Sequence, residues 1–423
     1  MSTIAYLALW LFVFALPWEN GVTIIPGTAI VTKATGALAL ATAVGATLFS
    51  ARLRRWHQMH LIGLLFLIWA GAELFVLHSG TRLPYKYPTY LQLFAVLWII
   101  WEVAPSRSRV IGLMTAYVLG GYVVAVATIL QYREAGTKLN RFTALESDPN
   151  SLAMTLALAL PMAWYLSITY RSPVLRWVCR SFLAAGLVAI GLTASRGGMV
   201  AATVALMIVP LTMTKLSPGR LIAAVAVLAI TGALAAAYIP DKIVQRLATT
   251  STEVEDLSLG GRFKLWQAGV KALAERPLTG YGAGFWRPAV APWLGPNPQV
   301  AHNSFLSVAV ETGIVGFLLY MGMFLAVFLA LMRLPSLERR FALVLLATLM
   351  VTMLPLSWED QKSVWFVLAV LLGFARASGG AGAGMTPAVA RVRAAPLARP
   401  PLAARPGPGA MRFSRNLDSD RMT

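Results

Sequence analysis

Long apolar runs alternate with shorter polar connections along most of this chain. Each run holds about 16 to 28 residues, enough for an α-helix to cross a hydrocarbon core of about 30 Å. Inside a bilayer only helices and closed barrels pair all their backbone polar groups, so these runs are predicted to be helices. We predict about twelve spans, near residues 3–18, 29–49, 61–79, 88–104, 110–130, 151–169, 177–194, 197–214, 221–240, 304–332, 341–358 and 364–377. The expected fold class is all-α, that of a polytopic integral membrane protein.

Composition and charge agree with this fold and set its orientation. Hydrophobic residues make up 58% of the chain and charged residues 13%, which is more apolar than one soluble core could bury. An even number of spans places both termini on one side, which we take as the cytoplasm. The inward connections then hold these basic residues: Arg52, Arg54, Arg55, Arg107, Arg109, Arg171, Arg176, Arg180, Lys215, Arg220, Arg333, Arg339 and Arg340. Because this is the positive-inside pattern, the net charge of +19 reflects topology, and we expect no nucleic-acid partner.

Polar segments divide the chain into a membrane domain and a tail. Residues 1–377 form the predicted transmembrane helical domain, which includes a large outward loop at 241–303. Residues 378–423 are rich in Gly, Ala, Pro and Arg and have few large apolar side chains. We therefore predict that they form a disordered basic cytoplasmic tail, whose arginines contact anionic membrane lipids.

The large outward loop contains one predicted helix and one glycine cluster. Its apolar residues Phe263, Trp266, Val270 and Leu273 recur at helical spacing, which predicts an amphipathic helix lying on the membrane surface. The segment Gly280-Tyr281-Gly282-Ala283-Gly284 follows. Glycines there allow tight turns and a close approach of the backbone to a ligand.

Two arginines lie on predicted outward segments, where the orientation rule disfavours basic residues. Their position therefore suggests a function other than setting the topology. Arg196 follows Ser195 in a tight outward turn between two apolar runs, and Arg262 opens the predicted loop helix. A guanidinium binds phosphate oxygens bidentately, and a helix N-terminus adds free N–H donors. Both are candidate catalytic residues that hold an anion. The alternatives are a snorkelling side chain at 196 and a solvated loop charge at 262.

A second outward loop, near residues 131–150, contains further basic residues. Arg133 and Arg141 are candidate substrate-binding residues there. The alternative is that they are ordinary loop charges, because Asp148 or Asn150 at the end of the loop also fits the cap of the next helix.

The large loop meets the next apolar run at His302 and Asn303, and Glu311 lies inside that run. An imidazole that is neutral near pH 7 can act as a base, so His302 is a candidate catalytic residue. The alternative is that His302 only fills space at the membrane interface. A carboxylate at membrane depth is energetically costly, so it usually has an ion-pair partner or a function. We predict a catalytic role for His302 and substrate-binding roles for Asn303 and Glu311.

Neither metal chemistry nor a serine hydrolase site is indicated. The histidines His57, His60, His78 and His302 form no ligand cluster by spacing, and Cys179 is the only cysteine. No G-x-S-x-G elbow occurs. We expect a site without metal or cofactor, in which arginines neutralise the charge that develops on a departing diphosphate.

These features resemble the bacterial O-antigen ligase and O-antigen polymerase superfamily. The resemblance covers about residues 130 to 330 and rests on the following motifs: Ser195-Arg196-Gly197-Gly198, Gly261-Arg262, Gly280-Tyr281-Gly282-Ala283-Gly284, His302-Asn303-Ser304-Phe305-Leu306 and Glu311-Thr312-Gly313. It implies a metal-independent, inverting membrane glycosyltransferase of the GT-C type. The enzyme would be a multi-pass protein of the bacterial inner (cytoplasmic) membrane, with both termini cytoplasmic and its active site and large loop facing the periplasm.

The resemblance also implies the substrates and the residue roles. The donor would be a glycan on undecaprenyl pyrophosphate, with Arg196 and Arg262 binding the diphosphate and His302 activating the acceptor hydroxyl. A ligase would transfer the glycan to lipid A-core oligosaccharide, and we favour it because one late loop holds the motif set. A polymerase would join lipid-linked repeats, and a protein O-oligosaccharyltransferase would modify Ser or Thr.

A transporter of polar lipids is an alternative from a different class. It predicts charged or broken helices near the bilayer midplane, whereas the notable charges of this sequence gather at outward ends.

Overall fold

α-Helices form most of the chain that the structure describes. The structure is a computed structural model that describes residues 2–19, 30–50, 53–77, 86–136, 141–143, 148–213 and 261–383. Within these ranges the helices, in chain order, are α1 (Ser2–Ala15), α2 (Ile30–Ser50), α3 (Gln58–Leu77), α4 (Lys86–Val103), α5 (Arg107–Ala135), α6 (Pro149–Thr169), α7 (Pro173–Leu192), α8 (Arg196–Leu206), α9 (Ile208–Thr212), α10 (Arg262–Glu275), α11 (Trp286–Leu294), α12 (Ser304–Leu331), α13 (Ser336–Met353) and α14 (Lys362–Ala383).

Most of the predicted spans coincide with these helices. Eleven of the twelve overlap α1 to α9 or α12 to α14, and the span predicted at 221–240 lies outside the described residues. Five described helices, α2, α5, α6, α7 and α12, are long and apolar enough to cross a membrane. The all-helical, polytopic membrane class is therefore supported, while the number twelve and the GT-C type stay predictions. The predicted tail begins inside α14, and its residues 384–423 lie outside the described part.

Helix α13 ends earlier than the sequence predicted. It stops at Met353, whereas the predicted span ran to residue 358, and residues 354–361 form a non-helical connector. Pro355 explains the end of the helix, because proline has no N–H to donate to the preceding turn. This connector matters for the site, because its residues bond to the start of α12 at His302 and Ser304.

Helix α12 is broken at Gly313, where φ is 62° and ψ is −176°. This conformation is open to glycine, and a Cβ at this position would overlap the carbonyl of Leu278. A break of this kind frees backbone polar groups that must find new partners. Broken helices of this kind are expected of transporters, and none was predicted for this chain.

The loop after α10 supplies the partners for the broken helix. Ile314 N–H donates to the Pro277 carbonyl (2.7 Å), and the N–H groups of Tyr281 and Gly282 donate to the carbonyls of Val310 (3.1 Å) and Glu311 (2.7 Å). A Cβ at Gly280 would lie 2.5 Å from Gly313 N. The glycine cluster therefore does make a close backbone approach, but the approach described here is to α12.

Helix α10 confirms the predicted loop helix but buries a different face. Its buried residues are Leu265, Ala268, Gly269 and Ala272. Of the predicted apolar face, Phe263 and Val270 are exposed, and Trp266 and Leu273 are partly buried. The predicted face missed the small residues, which let α10 pack closely against α11 and α12. That the helix lies on the membrane surface stays a prediction.

A buried ammonium joins three distant parts of the chain. Lys86, the first residue of α4, donates to both carboxylate oxygens of Glu311 (2.9 and 2.8 Å) and to Glu359 of the connector. All three side chains are almost completely buried. Lys86 is thus the ion-pair partner that a carboxylate at the predicted membrane depth of Glu311 requires. Removing one member would leave an uncompensated buried charge.

Replacing Gly313 with Ala should destabilise the protein by about 3 kcal/mol, because alanine strains this backbone and clashes with the Leu278 carbonyl. Thermal unfolding in detergent measures the effect. Gly45→Ala is the matched control, since a Cβ on this α2 glycine meets nothing within 4 Å. Equal stability of the two variants would contradict the importance of the break.

Replacing Lys86 with Met should lower the free energy of unfolding by about 3–5 kcal/mol, because it leaves two buried carboxylates unpaired. The control is Lys362→Met, which removes a pair to Glu19 (2.6 Å) whose side chains are 29% and 11% exposed. That partly exposed pair should be worth about 1 kcal/mol or less. Similar losses in both variants, measured by thermal unfolding, would mean that the Lys86 cluster has no special weight.

Candidate active site

A cavity of about 570 Å³ lies around His302, at the ends of helices that we predict to face outward. It is lined by Lys86, Asp148, Ser151, Gly284, Trp286, Arg287, Val300, Ala301, His302, Ser307, Glu311, Leu356, Ser357, Trp358, Glu359, Asp360 and Gln361. Pockets for small molecules and cofactors usually measure about 300–1,000 Å³. The cavity therefore has the size of a ligand site and joins parts of the chain that are far apart in sequence.

His302 has an unusual backbone conformation. Its φ is 48°, and the only other non-glycine residue with positive φ in the described part of the chain is Ala194, at 49°. Such conformations cost about 1–3 kcal/mol and cluster at functional sites, where the surroundings enforce them. Ala194 lies two residues before Arg196. His302 therefore lies within one predicted motif, and Ala194 directly precedes another.

The connector holds His302 in place from one side. The backbone N–H of His302 donates to Ser357 Oγ (3.1 Å), and Ser304 Oγ donates to the Leu356 carbonyl (2.8 Å). The Trp358 N–H donates in turn to Ser304 Oγ (2.7 Å). The connector and the start of α12 therefore form one hydrogen-bonded unit.

Two tryptophans hold the segment before His302 from the other side. Trp266 Nε1 donates to the Ala301 carbonyl (3.0 Å), and Trp286 Nε1 donates to the Gln299 carbonyl (3.0 Å). The chain approaching the imidazole is thus fixed by bonds on both sides, as a positioned catalytic group requires.

The charges around His302 favour a neutral imidazole. Burial, together with the nearby positive charge of Arg262, lowers the pKa of His302 below its usual 6.5, and Asp148 opposes this. The ring is therefore unprotonated at neutral pH and able to accept a proton. Arg262 and His302, predicted from separate motifs, lie close enough for their charges to interact.

Arg196 is the first residue of α8 and lies in the predicted turn, which contacts the connector next to His302. Ser195 caps α8 by accepting from the Gly198 N–H (3.2 Å), and its hydroxyl donates to Asn150 Oδ1 (3.0 Å). A Cβ on Gly197 would lie 3.0 Å from Pro355 Cγ. The turn that carries Arg196 therefore packs on the connector that holds His302.

The predicted substrate-binding residues occupy different positions. Arg141 binds the Thr193 carbonyl (2.9 Å) and Asn150 (2.8 Å), so it holds the Arg196 turn. Asn303 caps α12 by accepting from the Leu306 N–H (3.0 Å). Glu311 lines the cavity, whereas Arg133 is exposed at the end of α5 and does not line it. Their roles toward a substrate stay predictions.

Several cavity residues were missed from the sequence. Lys86, Glu359 and Asp360 line the cavity, and burial raises the pKa of Asp360 to about 6. Two signals were available: Lys86 is a basic residue on a connection that the predicted topology places outward, and Glu359 and Asp360 interrupt an apolar region shortly after Pro355. Asp148, which contributes to the cavity, also caps α6, as expected, through Ser151 N–H (2.8 Å).

The region combines a neutral base, a cavity and two arginines that open helices. Arg196 is the first residue of α8 and Arg262 the first residue of α10. Gly197 on α8 packs on Pro355 of the connector, and the charge of Arg262 acts on His302. Such a set can hold an anionic leaving group on one side of a base that accepts a proton from a nucleophile.

Comparison with known proteins agrees with this reading. Residues 181–321 match the family model described as O-antigen ligase, named Wzy_C. The match covers about a third of the chain and includes Arg196, Arg262, His302 and Glu311. No curated protein matches the chain. The matched domain supports a function of the O-antigen ligase or polymerase type, a glycosyltransferase-like activity on glycans and lipid-linked substrates. Residues 181–321 are thus similar to the O-antigen ligase domain, and this similarity supports the assignment to the O-antigen ligase and polymerase superfamily.

Proposed function

We propose that this protein transfers a glycan from undecaprenyl pyrophosphate to a hydroxyl acceptor at the periplasmic face of the bacterial inner membrane, without a metal ion. The observation that carries the proposal is the half-buried imidazole of His302. It stands beside the charge of Arg262 and at the wall of a cavity, inside an O-antigen ligase domain.

The proposed reaction is one displacement at the anomeric carbon of the donor sugar. The acceptor oxygen forms a bond to this carbon while the bond from the carbon to the diphosphate oxygen breaks. The acceptor proton moves to His302, and the bonding electrons leave with the diphosphate. Arg196 and Arg262 stabilise the negative charge that develops on the leaving group.

The acceptor distinguishes three versions of this function. We favour a ligase that uses lipid A-core oligosaccharide, because most of the motif set, from Gly261 to His302, lies in one late loop. A polymerase or a protein O-oligosaccharyltransferase uses the same bond chemistry. Incubating the purified protein with a defined undecaprenyl-pyrophosphate glycan and each acceptor in turn, with and without chelator, separates the three.

A polar-lipid transporter is the second candidate, and a specific observation favours it. The break at Gly313 and the buried Lys86 cluster are features that transporters place within the bilayer. In this protein the loop after α10 pairs the freed backbone groups of the break. Movement of the lipid across vesicles without any transfer product would support the transporter and reject the transferase.

Replacing His302 with Ala should lower kcat by about 10²–10⁴-fold and leave donor binding nearly unchanged, because the base is lost but the cations remain. Arg196→Ala and Arg262→Ala should weaken donor binding as well, and Lys at either position should rescue poorly because it lacks the bidentate fork.

The matched control for these variants is Arg276→Ala. Arg276 lies in the same loop, stacks on the Tyr281 ring (4.7 Å) and is exposed. Its loss should change neither kcat nor the Kd of the donor. Wild-type turnover in His302→Ala would show that the catalytic assignment is wrong.

The acid limb of the pH profile of kcat/KM should have its midpoint below 6.5, because His302 must be neutral and burial lowers its pKa. Activity is then lost as the pH falls through this lowered value. Arg262→Gln should move the midpoint up, since it removes a charge that lowers the pKa. Asp148→Asn should move it down, and asparagine still caps α6. A midpoint that neither variant moves would argue against titration of His302.

A further inference from the structure

Among the described residues that line the cavity, negative groups outnumber positive ones. They comprise four carboxyl side chains, those of Asp148, Glu311, Glu359 and Asp360, and two cationic ones, those of Lys86 and Arg287. Lys86 is already paired with two of the carboxylates. A diphosphate placed in this cavity would be repelled, because like charges in a partly desolvated site cost several kcal/mol.

The cations assigned to the diphosphate lie outside the cavity wall. Neither Arg196 nor Arg262 is among its described lining residues. The leaving group is therefore expected beside the cavity, on the side of the starts of α8 and α10. His302 lines the cavity, and the charge of Arg262 lowers its pKa. It is therefore expected to lie between the cavity and the leaving group.

One carboxylate oxygen in the cavity needs a hydrogen-bond donor. Glu359 is completely buried, and Lys86 binds its Oε1, but Oε2 has no hydrogen-bond partner among the described residues. An ionised carboxylate only accepts hydrogen bonds, so a ligand that satisfies Oε2 must donate. Sugar hydroxyls donate, whereas the carboxylate of an acidic sugar only accepts. The free oxygen therefore favours a hydroxyl and disfavours an anion.

Two fixed aromatic rings complete the cavity. Trp286 and Trp358 are each 4% exposed, and their N–H groups are occupied by the Gln299 carbonyl (3.0 Å) and by Ser151 Oγ (3.3 Å). Both residues line the cavity and add apolar ring atoms to its wall beside the carboxylates. An aromatic surface next to hydrogen-bond acceptors suits a sugar ring, which has apolar C–H faces and a hydroxyl rim.

We propose that this cavity receives the acceptor sugar of the transfer reaction, and that the ring seated there carries no negative charge. The inference rests on the proposed function and adds a substrate class to it. The acceptor hydroxyl faces His302, a second hydroxyl donates to Glu359 Oε2, and the excess carboxylates exclude uronic acids and phosphorylated rings.

The test compares acceptors that differ only in charge. Alkyl glucosides and alkyl glucuronides, and the matching galactose pair, are offered to the full-length protein in nanodiscs. Their binding is measured by competition against a fluorescent alkyl glucoside, and their use by transfer from a defined undecaprenyl-pyrophosphate glycan. We expect the neutral member of each pair to be preferred at least 10-fold, both in Kd and in kcat/KM.

Glu359→Gln should reduce this preference at least 10-fold, mainly by raising the Kd of the neutral member, and should leave the Kd of the donor unchanged. Glu338→Gln is the control, because Glu338 pairs with Arg107 (3.5 Å) away from the cavity lining and should keep the wild-type preference. If Glu359→Gln fails to fold, as judged by thermal unfolding, Asp360→Asn removes a cavity charge without touching the Lys86 pairs and should also reduce the preference.

Each other outcome overturns a definite statement. Transfer to both members of a pair with equal efficiency, or a preference that neither variant changes, would reject the acceptor subsite while leaving the transferase intact. A weaker donor Kd in Glu359→Gln with unchanged acceptor binding would place the donor sugar in the cavity instead. Selective binding of neutral sugars without transfer to any acceptor would reject both the transferase function and the acceptor role.

Discussion

The ammonium of Lys86 between two buried carboxylates is the constraint on which the described site depends. In the interior an unpaired ammonium or carboxylate is strongly unfavourable, so Lys86, Glu311 and Glu359 are stable only together. They belong to the start of α4, the first third of α12 and the connector after α13. Pairing therefore fixes these ends of the segments relative to one another. The same pairing brings the connector to the start of α12, where Ser357 and Ser304 complete the attachment beside His302.

Around this fixed cluster the backbone departs from regular helix at the places where function is expected. Ala194 and His302 adopt positive φ just before α8 and α12, and Gly313 breaks α12 two residues after Glu311. Each departure has a cost, which packing and hydrogen bonds in the surrounding structure must offset. At Gly313 the loop after α10 does so by pairing the freed groups, and at His302 the connector does so through Ser357. The geometry of the site is therefore imposed by contacts between distant segments and is not a local property of the motifs.

This difference explains what the sequence could and could not predict. Helices, the Asp148 cap, the Arg196 turn and the start of α10 at Arg262 follow from local signals, namely apolar runs, capping residues and glycines. The need of Glu311 for a partner was also visible, but the identity of that partner was not, because Lys86 lies 225 residues away. The connector was taken for helix because Leu354, Leu356 and Trp358 continue the apolar run past Pro355. The buried face of α10 was missed because small residues, which permit close packing, contribute little to an apolar pattern.

In the proposed reaction, the charges near His302 link its basicity to binding of the donor. The positive charge of Arg262 lowers the pKa of His302, and the negative charge of Asp148 opposes this. A diphosphate bound beside Arg262 would bring negative charge close to the imidazole and make it a stronger base. The same negative charge, together with Asp148, would stabilise the imidazolium that forms when the acceptor gives up its proton. The acceptor would therefore be deprotonated most readily after the donor has bound. The carboxylates that line the cavity would disfavour a diphosphate there and so leave the cavity to the acceptor.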